Sequence, residues 1–266
     1  MGSESESGTG DRENEASPGA RDLPRPISGL ERLVAPGLDA LRSAQERVEP
    51  AWQAVTGAEA RWQVSIAILV AISLQVALPG RVGAHPRWLF PTVAGLGIAA
   101  IIIANPTRVD RHSVKLRGAV LLLTAVMSAA NMNSAIRLVI DLINAEGLRE
   151  PSTLLLTGAA IWLTNVIVFA LWYWEFDRGG PAERAMALKR YPDFLFPQMT
   201  SPELAPPDWE PEFTDYLFMS FTNATAFSPT DTLPLSRWAK LAMMFQSAVS
   251  LATLALVVAR AVNILR

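Results

Sequence analysis

The chain has 266 residues, of which 50% are hydrophobic, and its mean hydropathy is positive at +0.24. This composition is typical of membrane proteins. The formal net charge is −2, and no basic stripe indicates a nucleic-acid surface. The chain lacks cysteine and contains no HExxH, GxSxG or phosphate-loop motif. We therefore predict no catalytic residues, no metal site and no cofactor.

The first sixty residues change from polar to amphipathic. Residues 1–27 are rich in Ser, Glu, Gly and Pro, and they carry too few apolar side chains to offset the entropy cost of folding. We expect a disordered tail there, without the basic and apolar stretches of a secretory signal. Residues 28–60 place apolar side chains at helical spacing between charged ones. This pattern predicts two or three short amphipathic helices that lie on the membrane face or pack beneath the bundle.

Residues 61–178 carry four apolar segments and are predicted to form a transmembrane region of four helices. The connection between the second and third segments holds four basic residues and one acidic residue. By the positive-inside rule this connection is cytoplasmic, which also places the N-terminus in the cytoplasm and the protein in the plasma (inner) membrane. The segments run from Val64 to Leu78, from Trp88 to Ala104, from about Gly118 onwards and from Thr153 to Trp174.

The third and fourth spans contain polar side chains, which are costly inside a bilayer. Asn133, Arg137 and Asp141 are four residues apart, so they lie on one helix face. This stripe either lines a water-filled path or holds an Arg137–Asp141 pair near the outer headgroups, and the sequence leaves both interpretations open. Asn165 lies near the middle of the fourth span, where an amide is expected to find a partner on another helix.

Aromatic residues end the fourth span and recur in the loop that follows it. Trp172, Tyr173 and Trp174 predict an anchor at the membrane interface in preference to a binding cage. Residues 179–212 form a loop whose second part is acidic and rich in proline, which predicts a stiff, extended segment. Its aromatic residues indicate packing onto the bundle. The loop is either an acidic vestibule that concentrates cations or a structured lid over the next helix.

Residues 213–266 combine a short helix, an irregular return and a long apolar helix. The first segment, from Asp215, is too short to cross a bilayer, and the Ser228-Pro229-Thr230-Asp231 break follows it. The apolar run from Trp238 to Val262 is long enough to span. It carries one polar stripe along its length, formed by Gln246, Ser250, Thr253 and, two turns further, Arg260. Hydrogen bonding between helices explains the first three residues as well as a water-facing role does.

This layout resembles the pore domain of two-helix potassium channels. In place of the filter glycines of that family, this chain has Ser228 and Thr230 on either side of Pro229. The resemblance therefore implies a pore loop without a standard potassium filter. The whole chain is also similar to a family of bacterial multi-pass membrane proteins. That similarity does not indicate which activity the chain has. The positions that match the channel pattern are Asp215, Ser220, Thr225 and Asp231.

The two lines of sequence reasoning disagree about which side of the membrane the loop faces. A cytoplasmic N-terminus followed by four spans places residues 179–235 in the cytoplasm. The resembled channels place their pore loop outside. The orientation of this region therefore stays open, as does its role.

Taken together, the residues predict an all-α, polytopic transmembrane bundle of about five spans, with a short re-entrant or half-membrane helix before the last. The first hypothesis is a channel-like or transport protein, which has to be a homo-oligomer because one hairpin cannot enclose a pore. The alternative is a non-conducting membrane scaffold or accessory subunit that docks a protein partner. We predict no enzyme activity in either case. The candidate pore-lining residues are Thr225, Ser228, Thr230, Asp231, Gln246, Ser250 and Thr253.

Overall fold

The computed structural model describes residues 51–56, 62–80, 82–83, 92, 95, 114–144, 150–225 and 231–265. The chain divides into two units, and all of these residues belong to the second, Glu49–Arg266. The predicted tail, most of the amphipathic region and nearly all of the second predicted span lie outside the described residues.

The described part of the chain is mostly helical, which confirms the all-α prediction. Its main helices are α1 (Trp62–Ala77), α2 (Val114–Ile143), α3 (Pro151–Phe176), α4 (Pro181–Ala185), α5 (Pro197–Thr200), α6 (Phe213–Thr225) and α7 (Arg237–Leu265). Short 3-10 helices occupy Ala51–Gln53, Asp177–Gly179 and Pro202–Leu204. Two short strands, β1 (Phe194–Leu195) and β2 (Leu233–Pro234), complete the described elements.

Three of these helices are long and apolar enough to cross a membrane, namely those over Arg117–Ile143, Pro151–Gly179 and Arg237–Ile264. They are compatible with a membrane-embedded protein. Helix α1 is also apolar but has 16 residues. At about 1.5 Å per residue it is roughly 24 Å long, which is shorter than the ~30 Å hydrocarbon core of a bilayer.

Helix α3 is the central helix of the bundle and packs against α1, α2, α6 and α7. Its buried face meets Ile68 and Ala71 of α1 and Met127 of α2 in one apolar cluster. Gly158 allows a close approach to α7, because a Cβ at this position would lie 2.8 and 2.9 Å from the two methyl carbons of Val257. Small residues at helix contacts have this role in membrane bundles.

The loop between α3 and α6 packs onto the end of the bundle. Strand β1 pairs antiparallel with β2, with Phe194 opposite Pro234 and Leu195 opposite Leu233. Phe194 and Phe196 are buried and Trp209 is partly buried, whereas Tyr191 is exposed. The loop is therefore packed as predicted at three of its four aromatic positions. It is not uniformly extended, because α5 and the Pro202–Leu204 turn lie within it.

Candidate functional site

Helix α6 is a half-length helix held between α3 and α7. Its 13 residues give a length of about 20 Å. The Ser220 hydroxyl donates a hydrogen bond to the Val166 carbonyl of α3 at 2.6 Å. The amide of Asn223 donates to the Met243 carbonyl of α7 at 3.0 Å. The polar side of α6 thus faces its own bundle, while Phe218 and Phe221 are exposed on the other side.

The centre of this contact is Gln246 of α7, whose side chain is fully buried. Its Oε1 accepts hydrogen bonds from the Tyr173 hydroxyl and from Asn223 Nδ2, each at 2.7 Å. Its Nε2 donates to the carbonyl and to the Oγ of Ser220, at 3.0 and 2.7 Å. One glutamine therefore joins α3, α6 and α7. We call Tyr173, Ser220, Asn223 and Gln246 the Gln246 network.

The polar stripe of α7 continues along the same interface. Asn165 Nδ2 donates to Ser250 Oγ at 2.9 Å and to the Gln246 carbonyl at 3.4 Å. The Thr253 hydroxyl is buried and donates to the Val249 carbonyl of its own helix at 2.8 Å. Asn165 is predicted to have a partner on another helix, and the structure identifies this partner as Ser250. Gln246 and Ser250 thus bond to α3 and α6 of the same chain, while the Thr253 hydroxyl bonds within α7.

The other candidate pore-lining residues lie around the return between α6 and α7. Thr225 is half-buried at the end of α6, and its hydroxyl donates to the Thr222 carbonyl at 2.7 Å. Asp231 is exposed. Ser228 and Thr230 lie outside the described residues. The structure thus groups Gln246, Ser250 and Thr253 on one helix interface, with Thr225 at the end of α6 and Asp231 exposed before β2.

The predicted polar stripe of α2 is less buried than Asn131, the α2 residue that bonds to α1. Arg137 is exposed, and its Nε donates to Asn133 Oδ1 at 3.3 Å. Asp141 is half-buried one turn further along. The sequence analysis missed Asn131, which accepts a hydrogen bond at 2.9 Å from Gln75 Nε2 of α1. A buried glutamine within an otherwise apolar α1 is the signal that indicates this contact.

A buried cluster of charged residues closes the end of α3. The carboxylate of Asp177 accepts hydrogen bonds from the Asp193 backbone N–H at 2.8 Å and from the Tyr216 hydroxyl at 2.6 Å. The carboxylate of Asp193 accepts from the Arg178 backbone N–H at 3.0 Å and from Trp238 Nε1 at 2.8 Å. These two carboxylates therefore tie the end of α3 to the loop, to α6 and to α7.

Two buried arginines complete this cluster. Arg178 donates to the carbonyls of Trp52 and Lys189. Arg184 donates to the carbonyls of Trp174 and Asp177, and its guanidinium lies 5.2 Å from the centre of the Tyr216 ring. We call Asp177, Arg178, Arg184, Asp193 and Tyr216 the Asp177 cluster. Each carboxylate is engaged by two donors, which favours a structural role over proton transfer.

The turn after α3 requires an unusual backbone. Arg178, Gly179 and Gly180 have φ values of 52°, 85° and 98°. Glycine adopts this left-handed region without steric cost, so two of the three positions carry glycine. The Gly179-Gly180 pair directly after Asp177 and Arg178 is the sequence signal for this cluster, and the sequence analysis did not use it.

The predicted aromatic anchor at the end of α3 needs correction. Tyr173 and Trp174 are buried, and Trp172 is partly buried. Tyr173 belongs to the Gln246 network, Trp174 packs edge-to-face on Phe213, and Trp172 donates from Nε1 to Ser128 Oγ of α2 at 2.9 Å. Tyrosine and tryptophan are common both at interfaces and in polar helix contacts, so composition does not distinguish the two.

Asp215 lies in the first turn of α6, outside the three long helices. Its Oδ2 accepts a hydrogen bond from the Glu212 backbone N–H at 2.9 Å. Burial raises the pKa of Asp215 above its ordinary value of 3.8, against a lowering by this hydrogen bond. Among the described residues, no group of three His, Asp or Glu side chains could hold a metal ion. The site is thus a set of hydroxyls, amides and engaged carboxylates.

Comparisons with protein-family models, with curated proteins and with solved structures give no match to this chain. The central feature of the site is the Gln246 network, because its hydrogen bonds turn the polar residues of α6 and α7 toward one another.

Proposed function

We propose that the chain is a multi-pass inner-membrane protein of about five spans with a cytoplasmic N-terminus. In this proposal α6 and the return to α7 form a re-entrant hairpin. We further propose that the protein is a non-conducting scaffold or accessory subunit that docks a protein partner. The observation that carries the proposal is the burial of Gln246 and its four hydrogen bonds to α3 and α6.

A conducting path along α7 needs polar groups that face water. Gln246 and Ser250 instead bind groups of the same chain. Opening a path along this stripe requires breaking these contacts and replacing them with bonds to water. The missing filter glycines support the same conclusion, because a carbonyl-lined filter depends on them.

The loop of residues 191–212 offers a surface for a partner. Six prolines and five acidic residues lie within it, and it has no basic residue. The β1–β2 pair and Asp193 hold it on the bundle, while Tyr191 and Leu204 remain exposed at 81% and 84%. An acidic surface with exposed apolar side chains fits a partner that presents a basic surface with an apolar patch.

Ion flux in reconstituted vesicles tests the non-conducting part of the proposal. Vesicles that contain the purified protein and are loaded with potassium and sodium should release no more of either ion than protein-free vesicles. Added valinomycin should release potassium from both. Flux that rises with protein density would overturn the proposal.

Site-specific crosslinking tests the docking part. A photoreactive benzoylphenylalanine at Leu204 should give one discrete protein adduct in intact cells. The same group at Leu241, an exposed apolar position of α7, is the control and should not give that adduct. Replacing Glu203 and Asp208 by lysine should suppress the Leu204 adduct, because the proposed partner surface is basic. An unchanged adduct contradicts the docking surface.

A second candidate is a channel-like or transport role in a homo-oligomer. It is supported by the order of a half-length helix, a connection and a long apolar helix. This order resembles the pore domain of two-helix potassium channels. In this case Thr230→Ala and Asp231→Ala should change flux in the vesicle assay. Unchanged flux in both variants rejects the assignment of these two residues to a constriction.

A further inference from the structure

A cavity of about 340 Å³ lies between α2, α3 and α7. Its walls include aromatic side chains of α3 and α7, namely Phe169, Trp172, Phe176, Trp238 and Phe245. Ligand sites in proteins start at about 300 Å³ and combine apolar walls with a few polar groups. The cavity is therefore large enough for a small organic molecule.

The cavity opens on the outer surface of the helix bundle. Along α3 it extends from Asn165 to Phe176, which is about 16 Å at ~1.5 Å per residue. Phe176 and Phe245 at its edge are 39% and 54% exposed. These residues belong to two of the helices long enough to span a membrane. A molecule dissolved in the lipid can therefore enter from the side without crossing a charged surface.

Three polar side chains, Ser128, Asn131 and Asn165, line the otherwise apolar cavity. Ser128 already donates one hydrogen bond and accepts another within the protein. Ser128 Oγ accepts a hydrogen bond from Trp172 Nε1 and donates to the Thr124 carbonyl. The other two, Asn131 and Asn165, are each only 3% exposed. An amide side chain has one acceptor atom and one donor atom, so both ends need a partner when they are buried.

Each asparagine uses one end of its amide and leaves the other end available. Asn165 Nδ2 donates to a backbone carbonyl, which can only accept, so this orientation is fixed. Its Oδ1 has no donor among the described residues. Asn131 is bonded to Gln75 through Oδ1, and its Nδ2 has no acceptor in the described part of the chain. The cavity therefore offers one acceptor and one donor within apolar walls.

We infer that this cavity binds a neutral, lipid-soluble small molecule that carries a hydroxyl or amide group. The aromatic walls take up the apolar body, and the free ends of Asn131 and Asn165 bind the polar group. Among the described residues that line the cavity there is no Asp, Glu, Lys, Arg or His, so an ionised ligand has no counter-charge there. This inference does not depend on whether the protein conducts ions or docks a partner.

Photolabelling of the full chain in lipid nanodiscs tests the inference. The probe is 4-(hydroxymethyl)benzophenone, which combines a neutral aromatic body with one hydroxyl and inserts into nearby C–H bonds on illumination. The expected adduct lies on the peptides that contain Met132 or Phe245, and excess diphenylmethanol should suppress it saturably. The analogue 4-methylbenzophenone, without the hydroxyl, should bind roughly three- to tenfold more weakly, which is the ratio for one net hydrogen bond. Benzophenone-4-carboxylate should not label these peptides.

A pair of variants on α7 separates the cavity from general contact with lipid. Ala242 lines the cavity, and Ala248 on the same helix is exposed. Ala242→Trp fills the cavity and should abolish saturable labelling, whereas Ala248→Trp should retain it. Labelling that does not saturate with diphenylmethanol in the unmodified chain overturns the inference. Equal labelling of the two variants overturns it as well, and the competition result holds even if Ala242→Trp does not fold.

Discussion

Replacing Gln246 by leucine tests the energetic role of the Gln246 network. The substitution keeps a side chain of similar size but removes four hydrogen bonds to Tyr173, Ser220 and Asn223. Interhelical hydrogen bonds in membrane proteins contribute about 0.6 kcal/mol each on average and up to ~1.7 kcal/mol. Because these three residues lose their bonds to Gln246 inside the bundle, we expect the free energy of unfolding to fall by about 2–4 kcal/mol.

The measurement is unfolding by SDS in mixed micelles, followed by tryptophan fluorescence and far-UV circular dichroism. Met244→Leu is the matched control, because Met244 lies on the same helix and is exposed. It should change the free energy of unfolding by less than about 0.5 kcal/mol, as expected for surface substitutions.

A double variant checks the mechanism of the loss. In Gln246→Leu the Tyr173 hydroxyl loses its acceptor on Gln246, so adding Tyr173→Phe should cost less than it does in the unmodified chain. We expect a coupling energy of about 1 kcal/mol between the two positions. A Gln246→Leu variant as stable as Met244→Leu, or purely additive effects in the double variant, would refute the role we assign to Gln246.

Three further outcomes follow from other contacts. Gly158→Ala should lower the free energy of unfolding by about 1–3 kcal/mol, because its Cβ meets Val257 at 2.8 Å, and Val257→Ala should restore part of the loss in the same SDS assay. Asp193→Ala removes the acceptor of the Arg178 N–H and of Trp238 Nε1, so limited proteolysis should cut the loop of residues 191–212 faster than in the exposed control Asp208→Ala. Because burial raises the pKa of Asp215, the folded state binds its proton more tightly than the unfolded state, and stability should fall as pH rises from the ordinary value of 3.8 through the raised pKa. Asp215→Asn should remove this pH dependence of the free energy of unfolding. If the free energy of unfolding changes with pH as steeply in the variant as in the unmodified chain, the prediction is wrong.

The sequence was sufficient for the long-range layout of the second half of the chain. Apolar length alone predicts the spans that became α2, α3 and α7, and the Ser228-Pro229 break separates a short helix from a long one. The stripe of Gln246, Ser250 and Thr253 was also predictable, because helical periodicity places these residues on one face. Periodicity does not say what that face contacts, which is why a pore lining and an interhelical contact were equally consistent with it.

The Asp177 cluster could not be predicted from local pattern. Charged residues at the end of an apolar helix usually lie in water or at the headgroups, and Asp177 and Arg178 fit that rule by position. Their burial depends on partners that are distant in sequence, since Tyr216 comes from α6 and Trp52 precedes α1. The same holds for the amides of Asn131 and Asn165, whose free ends emerge only when α2, α3 and α7 are brought together.

Cysteine accessibility at Ser250 tests the central claim most directly. The chain has no native cysteine, so Ser250→Cys introduces a single thiol at a buried position of the α7 stripe. Leu204→Cys, in the exposed loop, is the positive control for a water-soluble, membrane-impermeant maleimide added to both sides of the membrane. If the bundle is closed around the Gln246 network, Leu204→Cys should be labelled rapidly. Ser250→Cys should not be labelled until the protein is unfolded. Labelling of Ser250→Cys in the folded protein at a rate close to that of Leu204→Cys would show that the stripe faces water and would contradict the account.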